Sequence, residues 1–154
     1  MKIRPAQASD IPALQTLLDE TELFPSDLLP DMLAPFLANA NDDIWLTAEV
    51  EGLASGLCFA RPEPFADGCW NMLALGVARA RQKSGLGRSL SSALEAQLCK
   101  LRARVLIVDT SSAEGFDSAR AFYQRQGFRE EARIEDYWAP GDDKITFWKR
   151  LGEG

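Results

Sequence analysis

Ten residues, Arg79-Ala80-Arg81-Gln82-Lys83-Ser84-Gly85-Leu86-Gly87-Arg88, gather four cations and two glycines at one point of the chain. The chain as a whole has a net charge of −6, so this cluster runs against the average. Glycine lets the backbone approach a ligand closely, and the free N–H groups and dipole of a helix start favour an anion. The chemistry on offer is phosphate binding. Catalytic chemistry is more restricted. No histidine occurs in the 154 residues, which removes Ser-His, Cys-His and histidine-base mechanisms. Acid–base work falls to carboxylates, tyrosine, cysteine, lysine or water. Cys58, Cys69 and Cys99 are far apart in sequence, so no cysteine–histidine metal site and no disulfide framework is expected.

A strand and a helix must position the basic loop. Met72–Val77 is almost continuously apolar, as a buried strand is, and Leu86, Leu90, Leu94, Leu98 and Leu101 recur at helical spacing. On residues alone two readings stay open. One is a strand–helix turn with solvated arginines and no ligand. The other is a dinucleotide fingerprint, which has Gly85 and Gly87 but Leu90 in place of the third glycine, several residues beyond the strand. Asp109, at the end of the next apolar run, stands where that fingerprint would put a ribose-binding acid. A Walker loop is excluded, because no Gly-Lys-Ser/Thr triplet occurs.

The length suits a single domain over residues 1–154 with a proper core. Hydrophobic residues at 46% and charged residues at 26% argue against disorder. No apolar run approaches the ~20 residues of a membrane span. The N-terminus, Met1 to Asp10, enters a strand-like segment with no apolar signal region, so a cytoplasmic protein is expected. The acidic balance argues against nucleic-acid binding.

In chain order, Lys2–Arg4 forms a short strand, and Ser9 or Asp10 caps a helix with Pro12 in its first turn. A second helix spans 27–38 with an interruption near Pro35. Ile44, Leu46, Ala48 and Val50 alternate as a strand, and Glu51-Gly52 turns it into Leu53–Ala60 as a hairpin. After the strand, loop and helix already described come a strand at Val105–Asp109 and a helix from Ser118 to Gln126, stopped by Gly127. Two last strands, Phe128–Trp138 and Lys144–Lys149, flank the turn Pro140-Gly141-Asp142-Asp143. The order β-α-α-β-β-β-α-β-α-β-β predicts an α/β (α+β) fold, a mixed sheet of about seven strands with helices on both faces.

Val77 followed by Gln82-Lys83-Ser84-Gly85-Leu86-Gly87 resembles the Gln/Arg-x-x-Gly-x-Gly/Ala loop of the GNAT superfamily of N-acetyltransferases. Ser118 to Phe128, with Tyr123 and Gly127-Phe128, is similar to the family's late Tyr-x-x-x-Gly-Phe segment, and the element order is the GNAT order. The resemblance implies acetyl-CoA as co-substrate, lodged in a splay between the strand ending at Val77 and the strand starting near Val105. Backbone groups of Leu75 and Val77 would pair with the pantetheine arm. Gln82, Lys83, Ser84, Gly85, Leu86, Gly87, Arg88 and Ser89 would hold the pyrophosphate, and Ser118 would add to the cofactor site.

It implies transfer of acetyl to a primary amine of a small molecule or peptide, with Tyr123 as the acid for the departing thiolate. A related subset carries Asp in the segment Trp70-Asn71-Met72; Asn71 cannot take a proton and is expected to position substrate or water. Glu22, Glu63 and Asp67 lie on loops bordering the expected acceptor cleft, and Glu22 and Asn71 are the substrate-binding candidates. The subset also resembles this chain at Asp109-Thr110-Ser111-Ser112 and across Tyr137 to Lys144, a hairpin expected to wall the acceptor site or make a homodimer contact. The acidic balance favours a cationic acceptor. A non-catalytic acyl-CoA sensor on the same fold is the alternative function.

Overall fold

A computed structural model describes residues 1–152. Seven strands form one mixed sheet: β1 (Lys2–Pro5), β2 (Ile44–Val50), β3 (Leu53–Pro62), β4 (Cys69–Val77), β5 (Val105–Ser111), β6 (Arg129–Ala139) and β7 (Asp142–Arg150). Their order across the sheet is β1-β2-β3-β4-β5-β7-β6. All neighbours are antiparallel except β4 and β5, which are parallel and joined by α3 (Leu86–Lys100). The remaining helices are α1 (Ile11–Thr21), α2 (Leu29–Leu37) and α4 (Asp117–Arg125). Among the described residues no helix is long and apolar enough to cross a membrane.

Two cores lie on opposite faces of the sheet. The leucine stripe of α3, Leu86, Leu90, Leu94 and Leu98, closes one with Met72, Leu106, Val108, Phe147 and Tyr123. Leu14, Leu17 and Leu18 of α1 and Leu29 and Leu33 of α2 close the other over Trp45, Leu57, Phe59 and Ala74. Both stripes follow the helical spacing of apolar residues. The β2–β3 turn works because Glu51 and Gly52 both adopt positive φ, 51° and 78°, matching the twist of the flanking strands.

Three expectations need correction. The second helix runs through Pro35 to Leu37 without a break; the missing N–H deprives one carbonyl, that of exposed Asp31, which water can serve. Neither Ser9 nor Asp10 caps α1 with its side chain. The Asp10 carboxylate instead accepts two bonds from the Arg4 guanidinium, both 2.8 Å, and one from the Gln7 N–H at 2.8 Å. Those bonds hold it below the usual carboxylate range and tie the first turn to β1. The α4 helix starts one residue before the expected Ser118 and ends one before Gln126.

Candidate functional site

β4 and β5 pair only at Cys69–Val105, Trp70–Leu106 and Asn71–Ile107. Immediately beyond, the register of β4 on β3 slips: Ala60 pairs with Met72 and Phe59 with Ala74, so Leu73 is an extra, unpaired residue. A bulge bends its strand, and from Leu73 to Val77 the β4 edge has no β5 partner. The parted strands leave backbone groups of Leu75 and Val77 facing an opening on one side while β3 pairs with them on the other.

That opening leads to the basic loop. A cleft of about 770 Å³ is lined by Val77, Gln82, Lys83, Gly85, Gly87, Arg88, Ser118 and Phe122, among others. A smaller cavity of about 190 Å³ adjoins it, lined by Leu75, Gly76, Val77, Gly87, Ala119, Phe122 and Tyr123. Val77, Gly87 and Phe122 line both, so they form the neck between an outer, basic chamber and an inner, apolar one.

Local geometry explains the loop. Lys83 and Gly85 take positive φ, 63° and 88°, turning the chain sharply before α3. The first intrahelical bond there runs from the Ser89 N–H to the Gly85 carbonyl, 3.0 Å, so the N–H groups of Leu86, Gly87 and Arg88 have no partner within the helix. Arg81 is paired with Glu51 at 2.9 Å, and the Arg79 N–H donates to Glu20 at 2.9 Å. Lys83, Arg88 and Arg125 have no carboxylate partner among the described residues. Free donors and unpaired cations around one cleft suit a polyanion.

The predicted cofactor residues divide accordingly. Leu75, Val77, Gln82, Lys83, Gly85, Leu86, Gly87, Arg88 and Ser118 line the two chambers. Ser84 and Ser89 do not: the Ser84 hydroxyl is tied back to the Arg81 carbonyl, and the Ser89 N–H is consumed by the helix. Gln82 donates to the Val77 carbonyl at 3.3 Å. The sequence reading missed Arg125, Phe122 and Gln126, which line the outer cleft. Their spacing from Ser118 (four, seven and eight residues) puts them on one face of α4, a pattern that was there to be read.

Tyr123 closes the inner chamber. It is 7% exposed and packs edge-on or tilted against Phe122, Phe128 and Phe147, with centroids 5.4, 5.7 and 5.9 Å away. No described residue hydrogen-bonds its hydroxyl. Burial, with a smaller contribution from Cys58, raises its pKa well above the ordinary phenol value. Cys58, fully buried beside it in the same core, is pushed up to about 12 by burial. The phenol therefore keeps its proton at neutral pH.

A second constellation sits where β4 and β5 part. The Asn71 amide donates to Glu63 Oε1 at 3.0 Å and to Asp109 Oδ2 at 3.2 Å. Asp109 also accepts from Thr146 Oγ1 at 2.7 Å and lies 3.6 Å from the Lys144 ammonium. Lys144 in turn sits 4.4 Å over the Tyr137 ring. Asn71 is 7% exposed, and its Oδ1 has no partner at all. Both amide hydrogens are spent on carboxylates, so the side chain offers only an acceptor. A buried, unpaired acceptor is costly in a folded protein. Glu22 and Asp67 are not part of this group: Glu22 is exposed at the end of α1, and Asp67 is exposed with its carbonyl bound to Arg104.

Comparison with known proteins agrees with this geometry. The family model described as an acetyltransferase (GNAT) domain matches residues 41–130, more than half of the chain and inclusive of the basic loop, Asp109 and Tyr123. Among solved structures, a protein assigned to the GNAT family from Desulfovibrio desulfuricans is 24% identical, with a TM-score of 0.90 over 98% of this chain and 99% of that one. The ribosomal-protein-alanine N-acetyltransferase of Brucella melitensis is 21% identical, with a TM-score of 0.82 over 98% of this chain and 100% of that one. An aminoglycoside 6′-N-acetyltransferase complexed with coenzyme A is 16% identical, with a TM-score of 0.82 over 100% and 99%. At these identities the likeness is one of fold. No curated protein matches the sequence. Basic loop, parted strands, inner tyrosine and family match converge, and the chain belongs to the GNAT acetyltransferase family.

Proposed function

We propose that the protein is an acetyl-CoA-dependent N-acetyltransferase that moves acetyl to a primary amine of a small molecule or peptide. The observation that carries this reading is the continuous path from the basic cleft, through the neck at Gly87, to the buried Tyr123 hydroxyl beside the parted β4 edge. Acetyl-CoA fits it on three counts. Its pyrophosphate suits the unpaired cations and free N–H groups, and its pantetheine amides suit the open edge of β4. Its passage needs the neck clear, and at Gly87 a Cβ would sit at ordinary contact distance, 3.7–3.8 Å, from Phe122 and Val77, leaving no room for a longer side chain.

When bound, acetyl-CoA supplies a thioester carbonyl for attack by the amine nitrogen. Tyr123, protonated at neutral pH, donates its proton to the sulfur that leaves. Asn71 acts on the acceptor through the two carboxylates that its amide holds, since its own Oδ1 is closed off in the fold. Glu63 and Asp109, held on either side by the Asn71 amide, are the carboxylates that take the amine's proton, directly or through water. Asn71 thus orients a base without being one.

A thiol-release assay with acetyl-CoA and a panel of primary amines tests the proposal, and turnover with any amine supports it. Calorimetry in parallel separates the alternatives. Acetyl-CoA binding without turnover on any acceptor favours the sensor, and tighter binding of NAD than of acetyl-CoA sinks the acyl-CoA reading.

A further inference from the structure

One face of the sheet is only half covered. α1 and α2 pack on β2, β3 and β4, and the core they close holds no residue of β5, β6 or β7. By register, Val105, Ile107 and Asp109 share that face with Asn71, and with their β7 partners Arg150, Trp148 and Thr146. Arg129 of β6 lies opposite Trp148. The alternate residues Leu106, Val108 and Phe147 point into the other core. Val105, Ile107 and Trp148 are left half-buried, with no helix over them.

This open strip is electrically bipolar. At one end stand Glu63 and Asp109, held by the buried Asn71 amide, with Lys144 3.6 Å from Asp109. At the other, the Arg129 and Arg150 guanidinium groups lie 4.2 and 5.4 Å from the Trp148 ring centroid. A guanidinium over an aromatic face keeps its edge N–H donors free for an anion. Arg129 shares an exposed pair with Glu131 at 2.9 Å, whereas Arg150 has no carboxylate partner among the described residues. Arg150 also borders a cleft of about 430 Å³ with Arg102 and Arg104. From Asp109 back to Val105, the partner of Arg150, is four residues of strand, or ~13 Å at ~3.3 Å per residue.

Resting on the transferase reading above, we propose that the acceptor is a peptide chain presented by its N-terminus, with an acidic residue at its third or fourth position. The terminal amine takes the Glu63–Asn71–Asp109 end, and the next residues cross the half-buried strip of Ile107 and Trp148. The acidic side chain meets Arg150 and Arg129. Spacing favours a peptide, since the third and fourth residues of an extended chain lie ~7 and ~10 Å from the first, and an acidic side chain there extends the reach toward Arg150. Shape favours it as well: the strip is an open strand face, whereas small metabolites are held in concave pockets.

Initial rates with acetyl-CoA and three amidated peptides, Ala-Ala-Glu-Glu, Ala-Ala-Ala-Ala and Ala-Ala-Lys-Lys, provide the test. The wild-type protein is expected to favour the acidic peptide over the neutral one by about tenfold in kcat/KM, with the lysine peptide slowest. Raising the salt concentration should compress that ratio. Arg150→Ala should bring the acidic-to-neutral ratio to within about twofold of one, Arg150→Lys should restore part of it, and Arg150→Glu should invert the order. Because the readout is a ratio within one preparation, partial loss of folded protein does not mimic the effect. Equal rates for the three peptides, a ratio untouched by Arg150→Ala, or turnover of small amines with none of any peptide overturns this inference and leaves the transferase reading standing. Absence of turnover with every amine and every peptide defeats both.

Discussion

The two ends of the reaction path are built on opposite logic. The cofactor end is built chiefly on contiguous chain: eleven positions from Val77 to Gly87 supply the strand end, the turn and the helix start, and one face of α4 closes the cleft through Ser118, Phe122 and Arg125. Its recognition elements are backbone N–H groups, which need glycine and a helix start but few particular side chains. The acceptor end is made of side chains that arrive from the β3–β4 loop, β4, β5 and β7, with Asn71 and Asp109 separated by 38 positions. The cofactor end presents donors and cations; the acceptor end presents the Glu63 and Asp109 carboxylates, held by the buried Asn71 amide, with Lys144 beside Asp109. In the proposed reaction a polyanionic thioester and a cationic amine would meet differently charged surroundings. Of the two ends, only the basic loop is a local motif.

The largest effect expected on this contrast comes from closing the neck. Gly87→Glu places a carboxylate between Phe122 and Val77, where the cofactor must pass and its phosphates lie close. Binding of acetyl-CoA should weaken by at least ~100-fold, measured by calorimetry, with the fold intact by circular dichroism. Retained micromolar binding would move the cofactor elsewhere. Tyr123→Phe tests the junction of the two chambers. The lost hydroxyl makes no protein hydrogen bond, so stability should hold, while kcat falls ~10- to 100-fold and the acetyl-CoA Kd stays within about twofold. An unchanged kcat would leave Tyr123 as a packing residue only.

Asn71→Asp tests the acceptor end through stability. The substitution places a third carboxyl at a buried position against Glu63 and Asp109. Burial and like charge raise the folded pKa of such a group above its unfolded value of about 4. The sign follows: the charge penalty is absent well below pH 4, sets in as pH rises past the unfolded value, and is complete above the folded one. Even protonated, the carboxyl offers one donor where the amide offers two, so the variant should trail the wild type by a fixed amount at about pH 3 and lose a further ~1–3 kcal/mol by pH 8 in urea unfolding. A loss that does not grow with pH would mean that Asn71 is not closed in by the two carboxylates.

How much of this was visible in the sequence tracks the same division. The loop, its glycines and the α3 stripe were legible because each rests on neighbours within a turn or two. The element order followed from periodicity, and the sheet from the resemblance of that order to the GNAT fold. The Asn71–Asp109 contact was not legible, since it depends on the parallel register that sets Asn71 beside Ile107, and no local pattern in either strand encodes that register; nor does an apolar run announce the bulge at Leu73. Ser84 and Ser89 stand beside the loop by position; the fold spends the Ser84 hydroxyl on the Arg81 carbonyl and the Ser89 N–H on the helix, and leaves the Ser89 hydroxyl uncommitted among the described residues. Arg125 was legible on the helical wheel of α4 but lies outside the loop motif. Pro35 misled because a proline near a helix end removes only one bond.

The smallest effects sharpen what the two loop glycines are for. A Cβ on Gly87 would meet Phe122 and Val77 at 3.7–3.8 Å, ordinary contact distances, and Gly87 has no positive φ. Gly85 is the reverse case: nothing lies within 4 Å of its added Cβ, but its φ is 88°. Space therefore limits what can stand at Gly87, and backbone conformation limits Gly85. Gly87→Ala should bind acetyl-CoA within about twofold of wild type, because one methyl fits the neck and alanine suits a helical position. Gly85→Ala should cost about 1 kcal/mol of strain in the turn. Seen in calorimetry, that is up to about a fivefold weaker Kd, with the loop free to relax part of the strain. If Gly87→Ala proves the more damaging of the two, the thioester arm passes closer to the start of α3 than the neck geometry implies. The charge contrast between the chambers would then matter less than the fit at Gly87.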